Sequence, residues 1–183
     1  MKTVYLIGYM GSGKTTLGRA YALAEGCSFI DLDDFIEKSE GMSISEIFAQ
    51  RGEDYFRKIE SQALREISSK GGLIALGGGT PCHAGNMEYM NKHGLTIRLR
   101  ASLPVLLRRL GEAREQRPLI AGSSDQELRS IVLKGLAERE PHYGKAKIDF
   151  NSDELESEEQ VARSVARLKK TLSIHNITTN RKK

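Results

Sequence analysis

The run Gly8-Tyr9-Met10-Gly11-Ser12-Gly13-Lys14-Thr15 places Gly, four residues, then Gly-Lys-Thr in one short stretch. Those residue types at that spacing suit the binding of a nucleoside triphosphate. Gly11 and Gly13 let backbone come close to a phosphate chain, Lys14 can reach the β- and γ-phosphates, and the Thr15 hydroxyl can ligate Mg²⁺. The stretch before the loop, Thr3–Ile7, reads as a buried strand, and Thr16–Ala24 behind it reads as a helix. Strand, loop and helix together turn backbone N–H groups and a positive helix end toward phosphate. Gly11, Ser12, Gly13, Lys14, Thr15 and Thr16 therefore make up the expected nucleotide contact. A glycine-rich turn that merely joins strand to helix explains the glycines and leaves Lys14-Thr15 without a reason.

Other groups able to do chemistry recur down the chain. Asp31 and Asp33 close a second strand two residues apart. On an extended chain both carboxylates face the phosphate loop while Asp34 points elsewhere. Asp31, nearer the strand, suits the waters of a loop-bound Mg²⁺, and Asp33, further out, can orient or deprotonate an acceptor hydroxyl. Capping a helix that starts near Phe35 is the plainer role for Asp33 or Asp34. Arg57 and Glu60 stand three apart on a helix, either as a surface pair or as a mount that holds Arg57 for a substrate carboxylate. Gly77-Gly78-Gly79 follow the third strand, where something must approach the backbone closely. No aspartate ends that strand, which leaves Asp31 to serve the metal side. Arg117, held extended by Pro118 with Arg114 nearby, is either a solvated loop charge or a cation aimed at transferred phosphate. Arg139 precedes Glu140-Pro141 in the last turn of a helix, where the helix dipole alone favours a cation.

These groups need a scaffold. Strand-like runs at 4–7, 28–31, 73–76, 95–99 and 148–150 alternate with helical stretches. The alternation predicts a three-layer α/β fold, a five-stranded parallel sheet with helices on both faces and ligands at the strands' carboxyl ends. Capping boxes at Ser43–Glu46, Ser124–Glu127 and Ser157–Gln160 mark helix starts. Val161, Val165, Leu168 and Leu172 form the packed stripe of the last helix. About forty residues between the second strand and Leu73 exceed one crossover helix, so a helical insertion at about 32–62 is expected to build the acceptor side. The polar segment at about 111–124, bracketed by Gly111 and Gly122, is the expected lid. Residues 176–183 lack apolar periodicity and are expected to fray, leaving a single domain over 1–175.

Composition narrows the class. With 39% hydrophobic and 28% charged residues, the 183-residue chain has the balance of a soluble globular domain. The formal charge of +4 is spread along the chain rather than gathered in a stripe, which favours an anionic small molecule over nucleic acid. Cys27 and Cys82 lack metal-ligand spacing and read as reduced thiols. No apolar run approaches membrane-spanning length. A cytoplasmic monomer is expected, without a membrane or nucleic-acid partner.

Taken together, the phosphate loop, Asp31-x-Asp33, Phe56-Arg57-x-x-Glu60, Gly77-Gly78-Gly79, Arg117-Pro118-Leu119 and Arg139-x-Pro141-x-Tyr143 closely resemble the shikimate kinase family. The resemblance runs in order and spacing from residue 2 to about 172. It implies a P-loop fold of the nucleoside-monophosphate-kinase type and transfer of the ATP γ-phosphate to the 3-hydroxyl of shikimate. Mg²⁺ is the implied cofactor, and the implied pathway leads to chorismate and the aromatic amino acids. It further implies that Asp33 holds hydroxyls, that Arg57 and Arg139 grip the shikimate carboxylate, and that the Gly78-Gly79 backbone touches the substrate. Arg117 then acts from the lid on the phosphates, Arg109 flanks the adenine, and Lys14, Asp33 and Arg117 form the catalytic set. The open readings of Arg57, Arg117 and Arg139 are thereby decided for function. Thr80-Pro81-Cys82 departs from the small or aliphatic residues the family often carries there. A kinase of gluconate would share the loop and fold without the arginine set, and a non-catalytic nucleotide-binding module would bind without turnover. A GTPase is disfavoured because Asn91-Lys92-His93-Gly94 lacks the aspartate that would read guanine.

Overall fold

The computed structural model describes residues 2–114, 119–175 and 177. Strands β1 (Thr3–Ile7), β2 (Phe29–Asp31), β3 (Leu73–Ala75), β4 (Gly94–Arg100) and β5 (Ile148–Asn151) form one sheet in the order β2-β3-β1-β4-β5, with every neighbouring pair parallel. Each strand expected from the sequence is present, its ends displaced by no more than one residue. All five residues of β1 are buried, as a mainly apolar strand at the centre of a parallel sheet should be.

The two-residue period of β1 divides the core. Val4 and Leu6 face helices α1 (Lys14–Glu25) and α7 (Glu158–Ile174), packing against Leu17, Tyr21, Leu168 and Leu172. Tyr5 and Ile7 face the other way, with Ile36 of α2 (Leu32–Glu40) and Phe56 and Leu64 of α3 (Ile44–Ser68). The same core takes in Met87 of α4 (Asn86–His93), Leu106 of α5 (Leu103–Glu112) and Val132 of α6 (Asp125–Tyr143). The result is the expected three-layer arrangement. Ser43, Ser124 and Ser157 start α3, α6 and α7 with full capping boxes, each hydroxyl accepting from the backbone three residues on.

Three local expectations are corrected, and α3 shows a bend that the sequence reading did not address. Helix α2 begins at Leu32 rather than near Phe35, and its cap is Asp31, whose carboxylate accepts from the Asp33 N–H. The chain is therefore already helical at Asp33, and an extended backbone does not set the directions of the two aspartates. Helix α3 bends at Gly52, where φ is 79°, so the segment carrying Arg57 and Glu60 starts afresh after the bend. Helix α6 continues through Pro141 to Tyr143, which places Arg139 more than a turn's start inside the helix rather than in its last turn. Ile177, assigned by its lack of periodicity to a frayed tail, is 5% exposed and donates its N–H to Leu172 at 3.0 Å. On the lid side, Arg114 Nη1 donates to the Ser123 carbonyl at 2.7 Å, while Arg117 and Pro118 lie outside the described residues.

Candidate active site

The phosphate loop turns at the carboxyl end of β1. Gly13 caps α1 with φ 87°, a left-handed conformation that favours glycine, and the Leu155 side chain packs close on the side where a Cβ would stand. Lys14 Nζ donates to the Gly8 carbonyl at 2.8 Å and to the Tyr9 carbonyl at 3.0 Å, which holds the amine over the loop. Thr15 Oγ1 donates to Asp31 Oδ2 at 2.7 Å. Asp31 thus spends one oxygen on the loop threonine and the other on the start of α2.

Asp31, Asp33, Gly77, Gly78 and Lys14 line a cleft of about 510 Å³ together with the loop. Arg109 closes its far side, donating to the carbonyls of Gly11 at 3.2 Å and Asp153 at 2.9 Å and pairing with Glu156 at 2.7 Å. Burial, followed by the neighbouring carboxylates of Asp31 and Glu60, pushes the Asp33 pKa up to about 6, and the Lys14 charge opposes them. Asp34 also borders the cleft but turns its carboxylate to Arg19 at 2.8 Å on the exposed side.

On the acceptor side the three glycines after β3 form the floor on which the charged groups converge. A Cβ on Gly77 would stand 3.0 Å from Asp33 Oδ1 and 3.3 Å from Glu60 Oε1. One on Gly78 would stand 3.5 Å from Arg139 Nη1, and one on Gly79 would stand 2.9 Å from Arg57 Nη1. Arg57 pairs with Glu60 at 3.1 Å and with Glu53 at 3.0 Å. Glu60 is 1% exposed, so the pair is not surface decoration. The Arg139 guanidinium stacks over Tyr9 at 4.8 Å from the ring centre, and Tyr143 Oη donates to the Gly78 carbonyl at 2.6 Å. Burial raises the Tyr143 pKa above the usual phenol range, which keeps that hydroxyl a donor.

The geometry brings Lys14, Thr15, Asp31, Asp33, Arg57, Gly78, Gly79, Arg109 and Arg139 together beyond the carboxyl ends of the strands. Sequence reasoning did not assign Glu53, Tyr9 or Thr80. Glu53 lies four residues before Arg57 and was readable as a helical partner. Tyr9 and Arg139 are far apart in the chain, and no local signal joins them. Among the described residues no three His, Cys, Asp or Glu side chains group to hold a metal. The Thr15 hydroxyl and the Asp31 carboxylate are hard oxygen donors of the kind Mg²⁺ takes when it keeps its waters and is held mainly by phosphate.

A family model described as shikimate kinase matches residues 10–169. The shikimate kinase of Phocaeicola vulgatus is 47% identical over 174 residues, covering 94% of this chain and 99% of that protein. A crystal structure of shikimate kinase from Bacteroides thetaiotaomicron superposes with a TM-score of 0.90 at 42% identity, over 94% of this chain and 98% of that one. Shikimate kinase from Acinetobacter baumannii, solved in complex with shikimate, gives 0.80 at 31% identity over 95% and 94% of the two chains. A gluconokinase from Sinorhizobium meliloti, covering 95% of this chain and 97% of that one, reaches 0.52 at 18% identity and shares the fold alone.

Proposed function

The chain belongs to the shikimate kinase family, and from that premise we propose that it transfers the γ-phosphoryl group of ATP to the 3-hydroxyl of shikimate. The products are shikimate 3-phosphate and ADP, on the route to chorismate and the aromatic amino acids. The observation that carries the acceptor reading is the convergence of Asp33, Arg57 and Arg139 on the Gly77–Gly79 floor beside the phosphate loop.

In this reading the loop N–H groups and Lys14 hold the phosphate chain, and Arg109 flanks the adenine from its place against Gly11 and Asp153. Arg57 and Arg139 take the shikimate carboxylate as paired guanidiniums. Asp33 accepts the 3-hydroxyl, aligns its oxygen with the γ-phosphorus and receives its proton as the new P–O bond forms and the bond to the leaving ADP oxygen breaks. A carboxylate whose pKa stands at about 6 is still ionised at neutral pH and is a better base than an ordinary aspartate. Mg²⁺, held by the Thr15 hydroxyl and through water by Asp31, would supply charge neutralisation on the phosphate oxygens. Arg117 would act on the transferred phosphate from the lid, and the protein would work as a cytoplasmic monomer.

A coupled ADP-release assay tests the whole reading. ADP should form with shikimate, not with gluconate or without an acceptor, and chelation of Mg²⁺ should stop it. Equal release with and without shikimate would replace the kinase reading by a simple ATPase.

A further inference from the structure

Thr80 is fully buried at the start of a short 3-10 turn, Thr80–Cys82, immediately after the three glycines. Its Oγ1 donates to Glu60 Oε1 at 2.6 Å, while Glu60 Oε2 accepts from Arg57 Nη1 at 3.1 Å. The Thr80 carbonyl accepts from Asn86 Nδ2 at 3.0 Å, and the Asn86 Oδ1 accepts from Arg65 Nη1 at 3.1 Å. Helix α3 thus reaches Thr80 by two routes, through Glu60 to its hydroxyl and through Arg65 and Asn86 to its carbonyl.

We propose that Thr80 is a positioning residue for the acceptor carboxylate, acting through Glu60 on Arg57; this rests on the reading of Arg57 given above. Two carboxylates share the Arg57 guanidinium, Glu53 accepting from Nε and Nη2 and Glu60 from Nη1. Glu53 is 60% exposed, whereas Glu60 is 1% exposed and takes the nitrogen that lies beside Gly79. A buried carboxylate oxygen cannot turn to water for a replacement partner, so its orientation follows the donors built around it. The Thr80 hydroxyl fixes one Glu60 oxygen and thereby aims the other at Arg57. Without it the carboxylate can rock, the Nη1 contact loosens, and the guanidinium is left to Glu53 alone, less closely held on the glycine floor.

The test compares Thr80→Val, which keeps the shape and loses the hydroxyl, with Thr80→Ser, which keeps the hydroxyl. Steady-state kinetics are run with shikimate and with its carboxamide, which lacks the charge that Arg57 would grip. Thr80→Val should raise the shikimate KM about tenfold, the worth of one hydrogen bond to a charged group, and leave the ATP KM alone. It should also narrow the preference for shikimate over the carboxamide by a similar factor, and Thr80→Ser should restore both. An unchanged shikimate KM, an unchanged preference, or a serine variant as impaired as the valine one would overturn the proposal. If wild-type protein fails to phosphorylate shikimate, the function reading falls first, and that result is distinct from an active parent with an indifferent Thr80. Should Thr80→Val not fold, Thr80→Ala carries the same comparison.

Discussion

Asp33 is asked to be charged where the fold would rather have it neutral. Its folded pKa of about 6 lies above the ordinary 3.8, so its contribution to stability is complete at low pH and is lost as pH rises through about 6. Above that, the ionised side chain costs on the order of 2–3 kcal/mol. In metal-free buffer, Asp33→Asn should therefore raise stability in urea at pH 7.5 and leave it unchanged at pH 4. The same variant should lower kcat with shikimate by about 10²–10⁴ while the nucleotide Kd holds. A variant that neither gains stability at pH 7.5 nor loses turnover would take Asp33 out of the site. Arg57→Ala should weaken shikimate binding by roughly 2–5 kcal/mol with nucleotide affinity intact, because it strips the Glu60 charge of its partner as well as removing the grip. An unaltered shikimate KM would return Arg57 to a structural role. Asp31 behaves differently from both, since one carboxylate serves the Thr15 hydroxyl and the first turn of α2. Asp31→Asn, a good cap, should spare the fold and impair turnover, whereas Asp31→Ala should cost about 1 kcal/mol in addition.

At the scale of elements, α6 is anchored by an ion pair that sequence reading passed over. Arg98 of β4, 8% exposed, gives two nitrogens to the Glu140 carboxylate, which holds that carboxyl below its usual range. Glu140 adjoins Arg139, so the pair fixes the stretch of α6 that carries Arg139. Glu140→Ala should destabilise the protein by about 1–3 kcal/mol in urea unfolding and raise the shikimate KM; a rise in neither quantity would make the pair ornamental. The capping serines and the five strands were legible because each depends on residues within a turn or a single run. The start of α2 was not. β2 is only three residues long and passes into helix with no intervening loop, so Asp31 is at once the end of the strand and the cap of the helix. The Arg57–Glu60 spacing was legible, but its burial was not, since that depends on Thr80 and the glycine floor arriving from another part of the chain. The stacking of Arg139 on Tyr9 belongs to the same class, fixed by sheet order rather than by neighbours in sequence.

For the molecule as a whole, the last described residue still belongs to the core. Ile177 packs with Leu168, Leu172 and Phe150, and Ile177→Ala should cost about 2 kcal/mol by thermal or urea unfolding. No loss would mean that the chain's contribution to folding ends with α7. The sheet, with a core on each face, also separates the seat of the helix that begins the phosphate contact from the seat of the helices that carry the acceptor groups. Helix α1, which begins with Lys14 and Thr15, is seated on one, while α2, α3 and α6, bearing Asp33, Arg57 and Arg139, are seated on the other. Injury to the interior then has an address. A void opened beneath α3 should blunt the enzyme toward its acid and spare the nucleotide, and a void beneath α1 should do the reverse. Random mutants sorted only by which substrate they still bind would tell the floor of α1 from the floor of α3.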